Sequence, residues 1–172
     1  MKQVNVKKLA LTALLTAVAV VGSLLSFPVF GSRCSPVQHM INILCAVLLG
    51  PSYGLTAAFL ASLIRNLLGL GSLLAFPGSM IGALLCGLVY KYTQNIGATC
   101  AGEVFGTAVL GGLSAYPIAI AFMGKSAGDI AFYAYIVPFL VSTAVGAVLS
   151  ALLLSALNRT AILKTVYAGL ED

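Results

Sequence analysis

Charged side chains in this sequence are confined to short stretches between long uncharged apolar runs, such as Leu9 to Ser26. These runs are rich in Leu, Ala and Gly and show no alternation of polar and apolar residues, so they do not read as barrel strands. In lipid, backbone polar groups must be satisfied within the segment, and a helix does that alone. With 60% hydrophobic and 8% charged residues, most side chains have lipid or one another as solvent. The expected fold class is therefore all-α and integral to a membrane, one domain over residues 1–172. At about 20 residues per span this length holds at most six or seven helices.

Breakers place the expected spans at 9–26, 37–50, 52–68, 79–92, 96–123 and 129–157. The first follows Lys2, Lys7 and Lys8, but its apolar stretch is long for a secretory signal, so a retained helix is expected. The second stops at Gly50-Pro51 after a run of about 20 Å, short of a core about 30 Å thick. The fourth is also expected to be short. Between the third and fourth lies Gly69–Gly78, apolar and glycine-rich rather than solvated. Irregular backbone at membrane depth must line a cavity or be buried in protein. The 27–36 loop and the 69–78 connector are therefore expected to re-enter over a pocket. Lys2, Lys7, Lys8, Lys91, Arg159 and Lys164 fall on one side, and Arg33, Arg65 and Lys125 on the other. That imbalance puts both termini in the cytoplasm and the pocket mouth outside.

Polar residues inside apolar runs are expensive and mark candidate positions. Gln38, Asn42 and Cys45 nearly align on the second helix, with His39 beside them. They serve either as caps at an interfacial helix start or as donors and acceptors at a pocket edge. Arg65 and Asn66 share an arc with Ser62 near the outer end of the third helix. Arg65 either snorkels to the interface or turns inward with its fork of donors. Glu103 heads a stripe of Gly106, Thr107, Leu110, Ser114 and Pro117; it is placed toward the cytoplasmic end, in an interhelical bond or against a ligand. Tyr116 and Tyr133 belong to an aromatic belt or stack on a ligand, and Phe76 in the connector offers another ring. Small residues pair at four-residue spacing at Ala13/Ala17, Ala57/Ala61, Gly78/Gly82 and Gly102/Gly106. Ala13/Ala17, on a first helix at the bundle edge, is the pair best suited to an external partner.

Several chemistries are missing. Cys34, Cys45, Cys86 and Cys100 form no C-x-x-C pair, and a single His makes a metal site improbable. Ser79 with His39 lacks the second glycine of a nucleophile elbow. There is no phosphate-binding loop, no acidic cluster for Mg²⁺ and no basic cluster suited to nucleic acid. No enzyme activity and no cofactor are expected.

Four stretches carry a resemblance to a known family: Pro36-Val37-Gln38-His39-Met40-Ile41-Asn42 with Leu48-Leu49-Gly50-Pro51; Arg65-Asn66-Leu67-Leu68-Gly69-Leu70-Gly71; Leu74-Ala75-Phe76-Pro77-Gly78-Ser79-Met80-Ile81-Gly82; and Gly102-Glu103 with Ala115-Tyr116-Pro117. In order and number they resemble the substrate-binding S components of energy-coupling-factor (ECF) vitamin transporters, and the ThiW family in particular. The resemblance implies a six-helix S component of a prokaryotic cytoplasmic membrane that captures 4-methyl-5-(2-hydroxyethyl)thiazole, a thiamin precursor, from outside. It implies docking through Ala13 and Ala17 on an EcfT-type coupling protein driven by two ATPases, which alone use ATP. Gln38, His39, Asn42, Arg65, Asn66, Phe76, Glu103, Tyr116 and Tyr133 form the candidate ligand set. The alternatives are another vitamin ligand, such as the pyrimidine precursor or thiamin, and a stand-alone facilitator or channel.

Overall fold

The computed structural model describes residues 5–30, 32–126, 128, 130–160 and 162–171. The chain is an all-α membrane protein built around one buried helix. In order, α1 spans Val6–Gly22, α2 Pro36–Leu48, α3 Pro51–Leu67, α4 Ala75–Thr93, α5 Ile96–Phe122, α6 Ile136–Arg159 and α7 Ile162–Glu171. Three helices are long and apolar enough to cross a bilayer by themselves: α1 with its trailing turn (Val6–Leu25), α5 and α6.

Helix α2 explains its own brevity. Ten of its 13 residues are buried, because α1, α3, α4, α5 and α6 all pack against it. A helix enclosed by protein need not match the thickness of lipid. Pro36 opens it in a first-turn position that needs no N–H, and Gly50, at φ 88°, turns the chain into Pro51 of α3.

Helices α4 and α5 cross on glycines. A Cβ at Gly106 would sit 2.9 Å from the Gly82 Cα, so no larger residue fits between the two backbones there. Just beyond Glu103, α5 widens into a π-helical segment, Phe105–Gly111, before resuming α geometry at Gly112. Such insertions re-aim side chains and recur at functional positions.

Four expectations need correction. Helix α4 is not short: it begins at Ala75 and runs 19 residues, about 28 Å, so Phe76, Pro77 and Gly78 are helical and the connector shrinks to 68–74. Pro77 lies in the first turn, where proline removes no intrahelical bond. The 27–36 stretch is not irregular: it holds a small antiparallel hairpin, Phe27–Val29 against Ser32–Cys34, which pairs its facing backbone groups and buries Ser32 and Cys34. The last long helix starts at Ile136 rather than at 129, leaving Pro138 in its first turn instead of its interior.

Finally, the residues after that helix fold back as α7, where no helix is expected from the sequence. Its Leu163 and Leu170 join the core, and the Tyr167 hydroxyl donates to the Val47 carbonyl (3.0 Å) at the base of α2. The Asn5 side chain donates to the Leu170 carbonyl (2.8 Å), so the start of α1 and the end of α7 meet at one end of the bundle.

Candidate functional site

At the opposite end, under the hairpin, lies a hollow of about 350 Å³ counting its open mouth. Its polar wall comes from α2 (Gln38, His39), α3 (Arg65) and the hairpin side (Arg33, Ser35). Leu74, Gly78 and Phe139 supply apolar surface, and Ser79, Thr107 and Ser142 line it too. A few converging polar groups beside apolar surface are the lining of a small-molecule site.

The polar side chains form one connected relay. Arg65 Nη1 donates to Gln38 Oε1 at 3.4 Å; Gln38 Nε2 donates to Asn42 Oδ1 (3.2 Å) and lies 3.1 Å from Ser79 Oγ. Asn42 Nδ2 donates to Glu103 Oε1 (2.9 Å) and to the Ser79 carbonyl (3.2 Å). That same Glu103 oxygen lies 2.9 Å from His39 Nδ1 and 3.1 Å from the Thr107 hydroxyl. An ionised carboxylate only accepts, so it fixes the proton on Nδ1 and leaves Nε2 of His39 as the nitrogen with no partner among the described residues.

Helix geometry explains the convergence. Gln38 and Asn42 are one turn apart on α2, and Glu103 and Thr107 one turn apart on α5, so two faces meet across the bundle. Glu103 is fully buried beneath the hollow, in interhelical bonds to His39 and Asn42 of α2. Arg65 turns inward, only 3% exposed. Together, Gln38, His39, Asn42, Arg65 and Glu103 form a single cluster.

The remaining candidates lie elsewhere. Asn66 directs its amide to the carbonyls of Ser62 (2.8 Å) and Ser72 (3.0 Å), holding the 68–74 connector rather than lining the hollow. Phe76 pairs with Phe59 at 5.9 Å between ring centres. Tyr133, 55% exposed, packs edge-on against Phe132, and Tyr116 is half-buried on α5 outside the wall. Conversely, Arg33, Ser35, Phe139 and Ser142 were not singled out in the sequence. The Ser142 hydroxyl accepts from the Ser35 N–H (2.8 Å), fixing the start of α2. The small face Ser142, Gly146 and Ser150 on α6, spaced by four, is the signal that could have found it.

The mouth is clasped. Arg33 Nη1 donates across to the Leu70 carbonyl (3.0 Å), tying the hairpin to the connector. The small-residue pairs also separate by exposure. Ala57/Ala61, Gly78/Gly82 and Gly102/Gly106 face inward, with all six residues buried, whereas Ala13 and Ala17 face outward. Ala17 borders a wholly apolar groove with Val21, Gly22, Leu25 and Val37. Among the described residues no three His, Cys, Asp or Glu side chains converge as metal ligands.

A family model described as thiamine-precursor transporter protein (ThiW) matches residues 9–160, most of the chain. No curated protein matches it. The family is one of transporters and not of enzymes, which accords with a buried polar hollow in a multi-pass helical protein. The chain belongs to the ThiW family of thiamine-precursor transporter proteins.

Proposed function

We propose that this chain is the substrate-capturing S subunit of an ECF transporter and that it binds hydroxyethylthiazole in the hollow beneath the hairpin. Six helices, α1 to α6, form its membrane body, with both termini cytoplasmic in a prokaryotic cytoplasmic membrane. Lys7, Lys8, Lys91, Arg159 and Lys164 lie toward the end where α1 and α7 meet, which supports that orientation and an outward-facing mouth. What supports capture most is the cluster of His39, Gln38 and Arg65 around one small hollow under a clasped mouth.

The chemistry suits a compact heteroaromatic ring with one polar arm. Apolar atoms of Leu74, Gly78 and Phe139 meet the ring, the Arg65 end donates to the oxygen of the arm, and His39 Nε2, an acceptor, takes the hydrogen of that arm's hydroxyl. A floor closed by the Glu103–Asn42–Ser79 bonds argues against an open channel. Energy comes from elsewhere: an EcfT-type coupling protein seated on the outward face of Ala13 and Ala17, with two ATPases behind it.

Isothermal calorimetry on the purified chain tests this directly. Hydroxyethylthiazole should bind with a Kd below about 1 μM, and His39→Ala should weaken it at least about tenfold, roughly 1.4 kcal/mol. No heat with thiazole, pyrimidine precursor or thiamin would end the proposal.

A further inference from the structure

Two buried donors in the wall of the hollow have nothing to bond. Arg65 Nε and Ser35 Oγ are both shielded from solvent and both without a hydrogen-bond partner, in side chains only 3% and 4% exposed. Both residues line the same hollow. The one bond the Arg65 side chain makes among the described residues goes to a neutral amide, Gln38. Its counter-charge is remote. Glu103, the one carboxylate with a described position in the bundle, is separated from Arg65 by the Gln38 and Asn42 side chains, and its Oε1 is already surrounded by three donors.

A buried guanidinium cannot shed its proton, and leaving it unpaired is expensive. The rim adds a second positive charge, Arg33. Arg33 and Arg65 bring two guanidinium groups to the hollow, against the single carboxyl group of Glu103 beneath it.

We propose that the hollow prefers a heterocycle whose arm ends in a carboxylate, seated between Arg65 and Ser35. This preference rests on the capture role proposed above and names the end group selected. An alcohol oxygen brings no charge and too few lone pairs for both orphan donors and the rest of the guanidinium. A carboxylate brings about four acceptor sites in a plane that matches the arginine fork, and its charge closes the local balance. A phosphate monoester fits less well. It carries nearly two charges and three strong acceptor oxygens, and the wall beside Arg65 and Ser35 is the apolar surface of Leu74 and Phe139.

The test compares two ligands with the same ring, hydroxyethylthiazole and 4-methylthiazole-5-acetic acid, by calorimetry on the intact chain at pH 7. The acid should bind at least about tenfold more tightly, and Arg65→Gln should abolish that ratio. Ser35→Ala should lower the affinity for the acid more than that for the alcohol. That variant keeps the charge of Arg65 and serves if Arg65→Gln does not fold. Equal or tighter binding of the alcohol by the unmodified chain overturns the carboxylate preference while leaving capture intact. Tighter binding of the phosphate ester than of the acid overturns it as well. Binding of none of the three removes both ideas.

Discussion

Glu103 holds the floor of the hollow together, and truncating it should show how much. Its Oε1 lies within 3.1 Å of three donors, yet the three do not depend on it equally. In Glu103→Ala, Asn42 Nδ2 keeps the Ser79 carbonyl at 3.2 Å and the Thr107 hydroxyl keeps the Gly78 carbonyl at 3.1 Å. Only His39 Nδ1 is stranded, and a buried donor left unpaired costs about 1–3 kcal/mol. The vacated volume adds about 1 kcal/mol. Relief of the desolvated carboxylate, whose Oε2 has no partner, offsets part of this. A net loss of about 2–3 kcal/mol follows, which for a chain of this length lowers Tm by roughly 4–12 °C. Glu103→Gln keeps an acceptor where Oε1 sits and should lose less than half as much. The chain has no Trp, but Cys34, Cys45 and Cys86 are buried free thiols, so a thiol-reactive fluorophore reads unfolding in detergent. A melting point for Glu103→Ala within about 1 °C of the unmodified chain would refute the keystone role. So would an equal drop for both variants.

Two further outcomes are expected. Arg33→Ala removes the 3.0 Å bond between hairpin and connector at an exposed position, so stability should change by less than about 0.5 kcal/mol. Dissociation of bound thiazole in stopped flow should nevertheless quicken severalfold, and an unchanged off-rate would show that the clasp is not a gate. Ala17→Trp fills the apolar groove on the outward face of α1, far from the polar wall. Copurification with the coupling protein and ATPases should be lost while thiazole affinity is kept; retention of the complex would place docking elsewhere.

Much of this architecture was legible because lipid makes polarity expensive. The face formed by Gln38, His39 and Asn42, the inward option for Arg65 and the interhelical option for Glu103 each followed from a polar residue in an apolar run, and the five converge. Asn66 carried the same signal, yet its amide holds a turn, because backbone carbonyls compete for such donors and a sequence does not show which turn lies near. Helix starts are misplaced around proline: Pro77 reads as connector and Pro138 as helix interior, yet both sit in first turns, where they are tolerated. Helix α7 is absent from the sequence reading because the search for apolar spans ends at residue 157. The apolar positions Leu163, Val166, Tyr167 and Leu170 recur at helical spacing and would have revealed it. Ser35 leaves no trace, since serine just before a helix is ordinary capping chemistry.

The glycine crossing of α4 and α5 decides which parts of this molecule can move. Gly78 meets Gly111 as tightly as Gly82 meets Gly106, and the Thr107 hydroxyl bonds the Gly78 carbonyl between them. Two rods in backbone contact at successive levels have no slack to slide or splay, so they act as a fixed jamb carrying Ser79 and Thr107. Admission and release of cargo then fall to the other side of the doorway, where a single guanidinium on a carbonyl is the latch.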